Sequence, residues 1–266
     1  MSFHIPPLAA ETIFHIGALP ITNTFINSMI ASFVLIIVST LVTRRLSSVP
    51  RGLQNVVEII LETVLDYMDR VTRDREKSIR FLPLVGTLFI FILTANLMGV
   101  FPGIGSIGLY AIEHGKTEFL PIFRPANTDL NLTLAMAMTA VIASHIFGII
   151  AIGFWKYADR FIKLGTLWHS LRKGGISIVV AVIEVGVGLI EMISEVAKMV
   201  SLSLRLFGNV FAGEVLLTVF AALIPAVVPL PFLLMETLVG VVQATVFSML
   251  TLVYLTTATA EAEAHN

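Results

Sequence analysis

The chain has 266 residues, 56% hydrophobic and 13% charged, where a soluble domain carries about 25% charged residues. With a mean hydropathy of +0.92, this composition points to an integral membrane protein with no room for a separate soluble domain. A formal net charge of −1 excludes a broad basic nucleic-acid surface, and the absence of cysteine excludes disulfides and thiolate metal sites. No metal, nucleotide-binding or other cofactor constellation stands out, so none is expected.

The first stretch lacks the basic region and apolar core of a signal peptide, and Pro6, Pro7 and Pro20 interrupt it. Residues 24–43 form the first uncharged apolar run long enough to span a bilayer, ending at Arg44 and Arg45. Residues 51–77 differ: Leu53, Val56, Val57, Ile60, Leu61, Val64, Leu65, Met68 and Val71 recur at helical spacing. Glu58, Glu62, Asp66, Asp69 and Arg70 fill the other face, the pattern of an amphipathic helix lying on the membrane surface. Residues 81–102 are a second uncharged span, 104–124 a glycine-rich polar loop, and 130–155 a third span. Asn96 and His145 are lone polar groups within spans, best read as interhelical hydrogen-bonding residues. Trp155 and Trp168 suit the interface.

Residues 176–222 continue without a proline for roughly 70 Å of helix, more than twice the hydrocarbon thickness. One tilted or bent helix fits best, since no turn cluster interrupts it. The turn comes at 224–231, which holds Pro225, Pro229 and Pro231, and residues 229–257 form the return helix. The expected fold is therefore an all-α integral membrane protein in a single membrane domain. It has about five crossing helices and one amphipathic surface helix, and its last two helices are long and form a tilted hairpin.

Basic residues orient it. Arg44, Arg45, Arg51, Arg70, Arg73, Arg75, Lys77 and Arg80 share one loop, and Lys156, Arg160, Lys163, Arg172 and Lys173 share another. The loop between them in sequence holds only Lys116 and Arg124, so the two rich loops face the cytoplasm, the N-terminus lies outside and the C-terminus inside.

The stretch 191–214 is apolar yet carries Glu191, Glu195, Lys198, Arg205 and Glu214. Each such group at membrane depth costs on the order of 3 kcal/mol or more, so it needs a partner or water. At about 100° per residue Arg205 shares a face with Glu191, Lys198, Ser201, Asn209 and Ala212, while Glu214 points roughly 180° away. One helix thus offers a cation to one surface and a carboxylate to another.

The run SLSLRLFGNVFAGE (201–214) resembles the signature of the proton-channel a subunit of F-type ATP synthases. ANLMGVFPG (95–103), ANTDLNLTLA (126–135) and QATVFSMLTLVYL (243–255) resemble the family's other blocks, in its order. The resemblance implies two long, nearly membrane-parallel helices and a stator that holds two offset half-channels against a rotating c-ring. It also implies peripheral-stalk b-type subunits, a head on which ATP chemistry takes place, and no active site on this chain. Arg205 would be the essential cation, facing a ring carboxyl that loses its proton there. A guanidinium cannot relay protons, but it can act as a fixed positive barrier.

Glu214 and Glu236 can relay protons and match positions where relatives often have one histidine and one glutamate; here both are glutamate. Gln243 matches the family's glutamine facing the arginine, and Asn209 is a further channel-lining amide. Glu191, Glu195, Lys198 and Ser201 would line the inner exit path, the alternative being a helix-end charge network. Asp129 and Asn131, with Asn127, lie at the outer mouth, where capping the third span is the alternative. Membrane lipid and the transported proton complete the partners. The location would be a bacterial inner membrane, or a mitochondrial or chloroplast energy-coupling membrane. The rival reading is a secondary proton-coupled transporter, which would show an inverted repeat that is not found here.

Overall fold

The computed structural model describes residues 6–44, 46–101, 107–113, 116–162, 176–223 and 229–260. A short antiparallel hairpin, β1 (Thr12–Ile16) and β2 (Leu19–Thr22), leads into helix α1 (Asn23–Thr43). Thr22 caps α1 by accepting from the Phe25 amide at 3.2 Å. Helix α2 (Leu53–Thr72) is amphipathic as its sequence requires, with Val64, Leu65 and Met68 buried and Glu62 and Asp66 exposed.

The surface helix ends at Thr72 rather than running to residue 77. Arg73 takes a left-handed conformation (φ 55°) and closes α2, and Asp74 then caps the next helix through the amides of Glu76 and Lys77. The second span, α3 (Arg75–Val100), thereby starts six residues earlier than the apolar run, and Arg75, Lys77 and Arg80 belong to its first turns. The segment 104–124 is not simply a loop: β3 (Gly108–Glu113) and β4 (Lys116–Pro121) pair in it as an antiparallel hairpin. A 3-10 turn (Ala126–Thr128) follows, then α4 (Leu130–Ile152). The third span stops at Ile152 because Gly153 has φ +92°, and a separate short helix, α5 (Phe154–Ile162), begins after it. Helix α6 (Ile176–Leu223) is unbroken, and α7 (Pro229–Ala260) follows. The expected turn around 224–228, Trp168 and the tail after residue 260 lie outside the described residues.

Five helices, α1, α3, α4, α6 and α7, are long and apolar enough to cross a membrane, and the two hairpins are too small to change the class. At 48 residues, α6 is roughly 70 Å long and cannot stand along the normal of a hydrocarbon layer about 30 Å thick. Phe33 and Ile36 on α1 and Ile190 and Ile193 on α6 stand exposed; lipid is the solvent that such faces require.

The chain divides into two compact units. The first comprises Met1–Thr133 and Leu204–Met249, and its core includes Phe81, Val85 and Ile92 of α3, Leu206 of α6 and Phe247 of α7. Within it Phe220 stacks on Phe232 (4.3 Å between centroids), and Gly213 abuts the Glu236 side chain. Positions on α7 rise as those on α6 fall, so the two run antiparallel here. The second unit comprises Leu134–Ser203 and Leu250–Asn266, with Ala137, Ala140 and Val141 of α4 and Leu252 and Leu255 of α7 buried.

Candidate functional site

In the first unit, Arg205 is exposed, and Leu204, Asn209 and Ala212 on the same stretch of α6 are exposed with it. Among the described residues Arg205 makes no ion pair. The Asn209 amide donates to the Arg205 carbonyl at 2.9 Å, which leaves its oxygen on the exposed face. Gly208, on that stretch, has open space where a Cβ would stand. The exposed strip of α6 here thus carries one charge among Leu204, Gly208, Asn209 and Ala212. The antiparallel pairing of α6 and α7 brings Gln243, half-buried, to about the level of Arg205.

Glu214 points away from that strip and meets a residue that the sequence reading counted only as a loop cation. Arg124 is 1% exposed, and its Nε donates to both oxygens of Glu214, at 2.9 and 3.0 Å. Its Nη1 and Nη2 donate to the carbonyls of Ala9 and Pro7 at 3.2 and 2.9 Å, and its guanidinium lies 5.8 Å from the Phe211 ring centre. The Asn27 amide holds the Arg124 carbonyl at 2.9 Å. The sequence clue was a cation between Phe123 and Pro125, directly ahead of an apolar span. Its partner lies 90 positions away, beyond the reach of any local pattern.

Glu236 sits beside this pair. It is buried, its Oε1 would lie 3.0 Å from a Cβ on Gly213, and its Oε2 has no hydrogen-bond partner among the described residues. Absence of a side chain at Gly213 is what lets the Glu236 carboxyl approach α6 so closely. The two glutamates singled out from sequence are thus neighbours, with unlike surroundings.

Near them Asn96 bridges elements: its amide donates to the Gly240 carbonyl at 3.0 Å and its oxygen accepts from Asn127 at 2.7 Å. This is the interhelical role expected of it. Asp129 accepts from the Asn131 amide at 2.8 Å and from the Thr24 hydroxyl at 3.1 Å, so it caps α4 and ties α1 to it. The Asn131 side chain is exposed.

The second unit holds another polar group. Glu195 is buried, bonded to Lys198 at 2.7 Å, with His145 Nε2 at 3.7 Å. His145 Nδ1 lies 2.6 Å from the Tyr157 hydroxyl, and the Lys198 ammonium lies 5.3 Å from the Tyr254 ring centre. Together with Ser144 these side chains line a small cavity. Lys198 is therefore engaged with Glu195. Glu191 is half-buried and Ser201 exposed. Tyr157 and Tyr254 were not singled out from sequence, where a lone tyrosine at a span end carries no signal.

Among the described residues no cluster could hold a metal ion. The residues present suit charge transfer: a fixed cation facing outward, a carboxyl pair behind it, and a Glu-Lys-His-Tyr group in the other unit.

The ATP synthase subunit a of Moorella thermoacetica is 34% identical over 252 residues, covering 95% of this chain and 96% of that protein. That of Campylobacter jejuni subsp. jejuni is 35% identical over 242 residues (91% and 92%), and that of Geobacter sulfurreducens 33% over 221 (83% and 80%). The pattern that defines the family described as ATP synthase A chain matches residues 25–256. The chain belongs to the ATP synthase A chain family.

Proposed function

We propose that this subunit conducts protons through the membrane sector of a bacterial ATP synthase, along two offset half-channels that meet at Arg205. The observation that carries the reading is the exposed Arg205, without an ion pair among the described residues, beside Gly208, Asn209 and Ala212. A permanent cation in lipid is costly unless a mobile counter-charge visits it. A c-ring that presents one carboxyl per subunit supplies that charge: opposite charge favours the ionised carboxyl at Arg205, and lipid favours the protonated one elsewhere. Glu214 and Glu236, with Asn209 and Gln243 leading inwards, form the outer path. Glu191, Glu195, Lys198 and Ser201 form the inner one, with His145 and Tyr157 beside it, and Asp129 and Asn131 stand at the outer mouth.

The chain does no ATP chemistry itself; the head of the complex performs it, and b-type stalk subunits hold the stator in place. The driving energy is about 2.3 kcal/mol per proton per 100 mV, plus any pH difference. The basic loops put the N-terminus outside and the C-terminus in the cytoplasm. Cysteines introduced at Ser2 and Ala264 in this cysteine-free chain test that orientation: an impermeant reagent labels them from opposite sides, and labelling of both from one side contradicts it.

ATP-driven pumping in inverted membrane vesicles tests the central claim. Arg205→Ala abolishes pumping while the assembled complex still hydrolyses ATP. Near-normal pumping by this variant would sink the reading.

A further inference from the structure

Two carboxyls, Glu214 and Glu236, lie together behind the exposed strip, and among the described residues only Glu214 has a cation. Arg124 gives Glu214 a two-oxygen hydrogen bond from Nε. Its remaining nitrogens are tied to the Pro7 and Ala9 carbonyls, and its own carbonyl to Asn27, so the guanidinium is fixed from several directions. Glu11, from the same N-terminal segment, acts electrostatically on Glu214 and accepts from Asn23 at 3.2 Å. Among the described residues, the charged or titratable groups facing Glu214 are therefore Arg124, Glu11 and Glu236. Glu236 is itself buried with Glu214 acting on it electrostatically, and its Oε2 has no hydrogen-bond partner among the described residues.

Two adjacent carboxyls in a low-dielectric site cannot both be charged with one cation between them. An arginine does not surrender its proton, so the compensated carboxyl is the one it grips. We propose that Arg124 is a positioning residue that locks Glu214 as a fixed, charge-paired anchor and leaves Glu236 as the carboxyl that gives and takes the proton. The N-terminal segment, stapled to the other face of the guanidinium through Pro7 and Ala9, keeps that lock in place. This division of labour rests on the reading of the two glutamates as the outer path.

The whole complex in inverted vesicles provides the test. Glu236→Gln cuts ATP-driven pumping by about 10²-fold, the size of a lost acid–base group. Arg124→Gln also cuts it, because Glu214 without its cation takes up a proton and becomes a second proton-holding carboxyl beside Glu236. Adding Glu214→Gln to Arg124→Gln recovers about tenfold of that loss, since the ion pair is then removed as a unit. The same second change does nothing for Glu236→Gln. Assembly is scored separately by retained ATP hydrolysis.

A second readout does not depend on transport. In infrared difference spectra of the purified complex, the carbonyl stretch of a protonated carboxyl disappears with Glu236→Gln and survives Glu214→Gln. The reverse infrared pattern, or failure of Glu214→Gln to rescue Arg124→Gln, overturns the division of labour. Wild-type pumping by both single glutamine variants overturns the outer path itself, and this inference with it.

Discussion

Two arginines of the first unit show what the same side chain becomes in two settings. Arg124 is 1% exposed and spends its nitrogens on Glu214, Pro7 and Ala9. Arg205 is exposed and has no ion pair among the described residues. A saturated, buried cation is a fixture, because nothing further can approach it without breaking bonds already made. An exposed cation without a partner has its donors still available, which is what the proposed meeting with a mobile carboxyl requires. The sharpest break of this comparison is lysine at each position. Arg205→Lys loses nearly all pumping, since a desolvated ammonium can shed its proton and lacks the planar fork. Arg124→Lys keeps one charge contact to Glu214 and retains a measurable rate. Equal pumping by the two lysine variants would erase the distinction.

Stability should separate them in the opposite order. Arg124→Ala leaves Glu214 buried and uncompensated, which costs about 3–5 kcal/mol and lowers the yield of intact complex from detergent. Arg205→Ala removes an exposed group and leaves the yield close to wild type. Thermal unfolding of the two purified variants checks this, and a larger loss for Arg205→Ala would contradict it.

The contrast also explains what was legible beforehand. Arg205 sits inside a contiguous run, 201–214, whose apolar residues, charge and spacing all lie within one helix, so a sequence can state the anomaly. Glu214 and Glu236 were legible as a pair because prolines in the sequence between them predict a return, and the Phe220–Phe232 and Gly213–Glu236 contacts show the two helices antiparallel. Arg124 was not, since its burial depends on a partner in α6 and on carbonyls near the N-terminus. The five spans follow from apolar runs, but their ends follow from local events. Asp74 captures two amides, so α3 starts among charged residues, and Gly153 ends α4 with no proline to announce it. The β3–β4 hairpin was legible only faintly, in Leu109–Ile112 and Thr117–Leu120 flanking His114-Gly115. Asn96 and His145 read correctly as interhelical groups, because a lone polar side chain in a span must find a partner.

Two glycines probe the same pair of settings at smaller cost. A Cβ on Gly99 would lie 2.8 Å from Pro125 Cβ and 2.9 Å from its Cγ, and a proline ring has no rotamer in which to retreat. Gly99→Ala therefore pushes on the residue next to Arg124 and destabilises the subunit by about 1–3 kcal/mol. A Cβ on Gly208 meets nothing within 4 Å. Gly208→Leu accordingly leaves the subunit's own stability near wild type yet lowers pumping, because the added bulk stands on the strip proposed above to face the ring. Unimpaired pumping by Gly208→Leu would show that nothing packs there.

The smallest effect belongs to the corner between α2 and α3, outside the spans, where charge pairing is exposed. The Ser78 hydroxyl is the largest influence holding the Asp69 carboxyl below the usual carboxylate range, and the ion-paired Arg75 adds to it. A carboxyl whose folded value is depressed contributes stability that is fully present above its unfolded value, about 4, and is lost as pH falls through the lower folded one. The corner is therefore firm at neutral pH and loosens only in acid. Exposure and salt screening keep the contribution small. Amide exchange of residues 70–76, corrected for intrinsic pH dependence, reads it. Asp69→Asn exchanges faster than wild type at pH 7, and the two converge as the pH falls from about 4 through the lower folded value, where the wild-type carboxyl becomes neutral as well. Equal protection at pH 7 would mean that the Asp74 cap and the left-handed Arg73 hold the corner without Asp69, leaving Arg75 as a surface cation with no structural task.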